Sequence, residues 1–309
     1  MKAYNLAIVG ASGAVGHEFL KILDERNFPI KQLRLLATER SEGKVLAFRG
    51  KDYIVERTEE TSFTGMDIVL FAGGAASKQY GPAAVKAGAV VIDNSSNFRY
   101  DPAVPLVVPE VNPEDVRWHK GIIANPNCST IQMVVALKPL HDAAKIKRVI
   151  VTTYQAVSGA GLPGLHELHE QTELILKGKP VTPAAFNHQI AFNLIPQIDI
   201  LIDNGYYKEE MKMVWETQKI FHDESIRIAA TCVRVPVFRS HSEAITVETE
   251  KPLTPDQARE LLVKAPGIVV IDNPAENEFP MPWHTSDTDA VYVGRIRRDL
   301  SSDNGLALW

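Results

Sequence analysis

Asn5 to Gly16 reads Asn-Leu-Ala-Ile-Val-Gly-Ala-Ser-Gly-Ala-Val-Gly, a short apolar strand that runs straight into a glycine-rich turn. A helical pattern follows, with Phe19, Leu20, Leu23 and Phe28 at helix-like spacing. Gly10, Gly13 and Gly16 permit a tight turn, close approach of backbone to a pyrophosphate, and close helix–strand packing. The phosphates of a dinucleotide would rest on the helix N-terminus. The spacing is GxxGxxG rather than GxGxxG, so the position between a first strand and a first helix carries this reading.

The first ~125 residues alternate strand and helix, which predicts a doubly wound, parallel Rossmann-like α/β domain. Strands are expected at Gln32–Ala37, Asp67–Phe71 and Val90–Asp93, and a helix at Lys78–Ala87. Ala72-Gly73-Gly74 leaves room for a ligand at the carboxyl edge of that sheet. After the second strand come Thr38, Glu39, Arg40 and Ser41. A cation with small hydroxyls suits the 2′-phosphate of NADP, whereas Glu39 keeps NAD open; NADP is the expectation. Arg99, just past the Val90–Asp93 strand, is either an anion clamp or a solvated arginine.

Residues 125–130 read Asn-Pro-Asn-Cys-Ser-Thr. Pro126 holds an extended loop that turns into an apolar helix near Ser129, so Cys128 falls at the positive end of a helix dipole. Such a position favours thiolate and covalent catalysis through a thioester; the other reading is a small buried thiol.

Beyond Cys128 the pattern changes. A long β-rich run at Ile146–Val157 ends its strand at Gln155, and a flexible loop, Ser158-Gly159-Ala160-Gly161, is expected next. Further strands are expected near 226–235, 242–249 and 268–272, and helices near 164–177, 208–221 and 255–265. That order predicts an α+β catalytic and dimerisation domain with a mixed sheet covered on one face. The domains are placed at 1–127 and 128–309. Glu216 and Lys219 share a helix face, and on spacing alone read as a surface ion pair. Arg234 ends one strand and His241 opens the next, at the same end of the sheet. Neutral-pH proton transfer suits histidine, and His241 is the best placed of nine. His166 and His169 lack a further ligand, so a solvated helix face is expected and no metal.

Composition fits a soluble intracellular enzyme. A net charge of −5 gives no basic footprint for nucleic acid or an anionic membrane. Cys128 and Cys232 alone argue against a disulfide framework and for a reducing compartment. The first strand starts close to Met1, no apolar run spans a bilayer, and a cytoplasmic location is expected.

Taken together, Gly10–Gly16, Asn94-Ser-Ser-Asn-Phe-Arg99, Asn125–Thr130, Gln155-Ala-Val-Ser-Gly-Ala-Gly161, Arg234-Val-Pro-Val and Ser240-His-Ser-Glu243 resemble the bacterial aspartate-semialdehyde dehydrogenases over essentially the whole chain. The resemblance implies NADPH-dependent reduction of L-aspartyl 4-phosphate to L-aspartate 4-semialdehyde, in the route to lysine, methionine and threonine. It implies Cys128 as acyl-thioester nucleophile, His241 as acid/base and Gln155 as the residue that orients the acyl intermediate. Arg234 would bind the substrate carboxylate and Glu216 its ammonium, while Arg99 and Lys219, with Asn127, would hold the phosphate. Gly10, Ser12, Gly13, Ala14, Val15, Thr38, Arg40, Ser41, Ser158 and Gly159 are the expected NADP(H) contacts, and backbone N–H groups near Cys128 the oxyanion donors. A homodimer, or a dimer of dimers, is implied. So is a C-terminal helix that returns to the nucleotide domain with an asparagine near the nicotinamide; the sequence ends before it, in an apolar strand-like run. Two other readings stay open: an N-acetyl-glutamyl-phosphate reductase, whose substrate gives Glu216 no ammonium partner, and an inactive NADP-binding protein.

Overall fold

The computed structural model describes residues 2–309, which divide into two units. The first unit runs to Val107 and resumes at Pro113–Pro126. Its elements in chain order are β1 (Tyr4–Val9), α1 (Ala14–Glu25), β2 (Ile30–Ala37), β3 (Val45–Phe48), β4 (Lys51–Ile54), β5 (Glu56–Arg57), β6 (Ile68–Phe71), α2 (Gly74–Lys86), β7 (Val90–Asp93) and β8 (Ile122–Ala124). Six of the strands form one sheet in the order β5-β2-β1-β6-β7-β8, every pair parallel. Alternate residues of β1 enter two different cores. Leu6 and Ile8 pack with Leu20 and Leu35, whereas Ala7 and Val9 pack with Phe63, Phe71 and Ala84. Burial on both faces is what makes these strands near-continuous apolar runs, as a helix-covered parallel sheet requires.

The hairpin of β3 and β4 is absent from the sequence reading. Its turn is Arg49-Gly50, both at positive φ, the geometry of a tight hairpin usually announced by Asn-Gly. Arg49 is held there by tertiary bonds instead, to Asp24 Oδ1 at 2.9 Å and to the carbonyls of Phe28 and Leu23. Helix α2 starts at Gly74, four residues ahead of the expected Lys78, with Gly73 as its N-cap.

The second unit comprises Val108–Asn112 and Asn127–Trp309. It contains α3 (Cys128–Ala144), β9 (Ile146–Gln155), α4 (Gly161–Leu176), α5 (Lys208–Phe221), β10 (Arg227–Arg234), β11 (Ser242–Thr249), α6 (Pro255–Lys264), β12 (Ile268–Val270), α7 (Pro282–Thr285), β13 (Val291–Val293), β14 (Arg297–Arg298) and β15 (Gly305–Leu308). A mixed sheet runs β10-β9-β11-β15-β14, with β9 and β10 parallel and the remaining pairs antiparallel. Burial alternates along β10 and β11, as expected for a sheet with one covered face. That face packs Val149, Val151, Ile245, Val247 and Leu308 under Met133, Leu137 and Met213 of α3 and α5. The strand expected at 268–272 ends at Val270 and lies outside this sheet, paired in parallel with β13.

Candidate active site and cofactor cradle

In the first unit the glycine turn is built as anticipated. Gly10 sits at φ +85°, and a Cβ there would lie 3.2 Å from the Ala72 methyl. At Gly16 a Cβ would come within 2.4 Å of the Gly10 carbonyl oxygen, so only glycine lets α1 start this close to β1. Gly13 is the N-cap and supplies no side chain, and Ser12, Ala14 and Val15 are partly exposed around it. A shaped, side-chain-free helix start fits the pyrophosphate of a dinucleotide. Thr38 and Arg40 are exposed at the end of β2, and Ser41 is buried in a short 3-10 turn, its N–H on the Thr38 carbonyl. Past β7, Asn97 donates to Ser77 Oγ at 2.8 Å and to the Gly74 carbonyl, and Ser95 Oγ donates to Asp93 at 2.7 Å. Arg99 belongs to this loop. It is buried, not solvated, and its Nη2 donates to the Asn94 carbonyl at 3.2 Å.

The second unit brings together the expected chemical residues Cys128, Asn127, Gln155, Glu216, Arg234 and His241. Cys128 is the first residue of α3 rather than the residue before it, and it is exposed. Asn127 caps the helix: Oδ1 accepts from the Ser129 N–H at 3.0 Å and the Thr130 N–H at 3.2 Å. Those two N–H groups are therefore occupied by the cap. The Asn127 backbone N–H donates to Glu216 at 2.5 Å. Glu216 is fully buried rather than on a solvated helix face, and Lys219, one turn on along α5, is half-buried.

Three strand ends meet at one edge of the mixed sheet. Arg234 is in register with Gln155, and Ser242 with Tyr154, which sets His241 beside both. Arg234 Nη1 donates to the Ala156 carbonyl at 2.7 Å and lies within electrostatic reach of Cys128. The Ala156 N–H donates to His241 Nδ1 at 3.0 Å. An amide N–H cannot accept, so the neutral imidazole carries its hydrogen on Nε2. Burial, followed by the neighbouring Arg234 charge, pulls the His241 pKa down to about 4, which keeps the ring neutral. Cys128 and His241 line one cavity of about 360 Å³, together with Gln132 and Glu243.

The expected flexible loop after Gln155 is a 3-10 turn, Val157–Ala160, and α4 begins directly at Gly161. The turn is tied down by Val157 N–H to the Val237 carbonyl at 2.8 Å and Ser158 N–H to Phe238 at 3.1 Å. Gly159 passes over the arginine and histidine so closely that a Cβ would lie 2.8 Å from Arg234 Nη1. His166 and His169 are exposed on α4. Two charged residues escaped the sequence reading, Glu209 and Lys212. Glu209 is buried, and it accepts from both Asn127 and Gln155. Only their i,i+3 spacing marks them beforehand, and that spacing is common on solvated helices.

Residues 5–119 match the semialdehyde dehydrogenase NAD-binding domain, and residues 137–309 the semialdehyde dehydrogenase dimerisation domain. The aspartate-semialdehyde dehydrogenase of Aquifex aeolicus is 60% identical over 99% of this chain and 92% of its own. The chain belongs to the aspartate-semialdehyde dehydrogenase family. A crystal structure of aspartate semialdehyde dehydrogenase II from Vibrio cholerae, complexed with ASA, superposes with a TM-score of 0.97 at 52% identity, covering 100% of this chain and 92% of the other. The Candida albicans enzyme of this family, solved with NADP, gives a TM-score of 0.76 at 26% identity over 99% and 93%. Membership accounts for both halves of the molecule, a nicotinamide-dinucleotide domain with a glycine cradle and a second domain of the kind that mediates dimerisation. Among the described residues no helix is long and apolar enough to cross a membrane.

Proposed function

We propose that this chain catalyses the NADPH-dependent reductive dephosphorylation of L-aspartyl 4-phosphate to L-aspartate 4-semialdehyde and phosphate, in lysine, methionine and threonine biosynthesis. The observation that carries it is Cys128 at the first position of a capped helix, opening on the same cavity as a neutral His241 with Arg234 close by. The names of the similar enzymes, and the ASA complex of one of them, favour this substrate over an N-acetyl-glutamyl one and over an inactive binding protein.

Cys128 Sγ, as thiolate, attacks the acyl carbon; the bond from that carbon to the phosphate oxygen breaks, phosphate leaves with the electron pair, and an acyl thioester remains. The reduced dinucleotide, when bound, supplies the hydride that takes the thioester to the aldehyde level. His241 presents its Nε2 hydrogen to the acyl oxygen as that oxygen gains negative charge, and Cys128 departs as thiolate when the adduct collapses. Gln155 orients the acyl group with its second amide hydrogen. Arg234 takes the substrate carboxylate and Glu216 the ammonium; Lys219, Arg99 and the remaining Asn127 amide hydrogen serve the phosphate. The 1–127 domain holds NADP(H) through Gly10, Ser12, Gly13, Ala14 and Val15 at the pyrophosphate and Thr38, Arg40 and Ser41 at the 2′-phosphate. Ser158 and Gly159 of the 128–309 domain complete the contacts. A cytoplasmic homodimer assembled through that domain completes the reading.

The test is phosphate-dependent reduction of NADP by L-aspartate 4-semialdehyde, followed by the absorbance of the reduced dinucleotide, with Cys128→Ala alongside. Turnover that falls at least about a thousandfold in the variant supports the proposal. Equal turnover in the two proteins, or a preference for the N-acetyl-glutamyl semialdehyde, overturns it.

A further inference from the structure

Glu209 lies in the first turn of α5 and is only 5% exposed. Its Oε1 accepts from Asn127 Nδ2 at 2.9 Å and from Gln155 Nε2 at 3.1 Å. Its Oε2 accepts from Lys212 Nζ at 2.9 Å, and the same ammonium donates to Asp199 at 2.8 Å. We propose that Glu209 is a positioning residue of the site, whose carboxylate fixes the side-chain amides of Asn127 and Gln155 in one orientation each. The inference rests on the reaction proposed above, for which both amides are site residues.

An ionised carboxylate only accepts hydrogen bonds, so both amides must turn their NH₂ ends toward it. Their oxygens then face away. For Asn127 that aims Oδ1 at the Ser129 and Thr130 N–H groups, the cap that begins the Cys128 helix. For Gln155 it aims Oε1 at the Thr153 hydroxyl, 3.0 Å away. One charged oxygen thus sets the cap beneath the nucleophile and the amide beside the acyl group. Burial alone would raise the Glu209 pKa, but Lys212, Asn127 and Gln155 together hold it below the ordinary carboxylate range. With both oxygens engaged, Glu209 is an orienting group rather than a second ammonium site.

Glu209→Gln separates orientation from charge. Lys212 is a cationic donor and cannot face an NH₂ group, so the new carbonyl oxygen turns to it and the new NH₂ turns toward Asn127 and Gln155. Both amides must then flip, which removes the cap. Positioning predicts a turnover lower by about tenfold or more with a nearly unchanged KM. It also predicts alkylation of Cys128 by iodoacetamide at pH 6.5 slowed by about fivefold, as a lost cap implies. A role as a negative charge alone predicts the opposite sign, because removing an anion near a thiol favours thiolate. The double variant Glu209→Gln, Lys212→Met frees the carbonyl to face both amides and should recover most of both losses; it also serves if the single variant fails to fold. Alkylation is read at Cys128 by mass spectrometry and needs no turnover, so an inactive wild type would sink the proposed reaction and leave this readout intact. Alkylation that is unchanged or faster in Glu209→Gln, or a folded double variant that stays as impaired as its parent, overturns the assignment.

Discussion

Gln132 Nε2 donates to Glu243 Oε1 across 2.7 Å, one helical turn along α3 from Cys128. The second oxygen of that carboxyl group has no partner among the described residues, and the group is buried. Burial pushes the Glu243 pKa up from 4.5 to about 8, against a smaller opposing effect of Gln132. Below pH 4.5 the side chain is neutral in both folded and unfolded chains. Between there and about pH 8 the folded protein holds the extra proton, so stability falls as pH rises. Glu243→Gln should therefore melt higher than the wild type at alkaline pH, by an amount that shrinks as the pH approaches the ordinary carboxylate range. A gap that is the same at every pH would refute a protonated Glu243.

His241 has the opposite sign. Its folded pKa of about 4 lies below the ordinary 6.5, so the unfolded chain binds the proton first as pH falls. Stability is lost through that window, roughly pH 6.5 down to 4. His241→Asn, which keeps an acceptor for the Ala156 N–H, should flatten this part of the melting-temperature profile. A variant that follows the wild-type slope would show that His241 is not held neutral.

Gly159→Ala places a methyl carbon 2.8 Å from Arg234 Nη1, which is the end of a flexible side chain and can move aside. Stability should change by less than about 1 kcal/mol. The displaced guanidinium should raise KM for the semialdehyde by about tenfold, with a smaller effect on kcat. Unchanged KM would show that Arg234 does not bind the substrate carboxylate from this position.

The first unit was readable because its signals are local. The Gly10–Gly16 turn, the apolar β1 and the spacing of Leu20 and Leu23 each report on a few neighbouring residues. The hairpin at Arg49-Gly50 was not, since the bonds that hold Arg49 at positive φ come from Asp24 and the carbonyls of Leu23 and Phe28. The same division runs through the site. Cys128 stands out through the proline and asparagines around it, whereas Glu209 is one glutamate among several at a helix start. What distinguishes it is burial against Asn127 and Gln155, 82 and 54 residues away in sequence. Glu216 shows the limit of spacing most directly: its spacing suggests a solvated helix face, yet it is fully buried and accepts from the Asn127 backbone N–H, 89 residues away.

Strand β9 has neighbours of both senses, β10 running with it and β11 against it, and Gln155 is its last residue. Each rung of backbone hydrogen bonds therefore acts as a ruler graduated in residues. Gln155, Arg234 and His241 occupy fixed marks on it, independent of how the loops between them are spelled. Side chains at those marks are exchangeable without disturbing the scale, so a new substrate would be accommodated most readily by altering what stands at a mark. An insertion of a single residue within any of the three strands would do the reverse, keeping every side chain and turning its chemistry to the wrong face of the sheet.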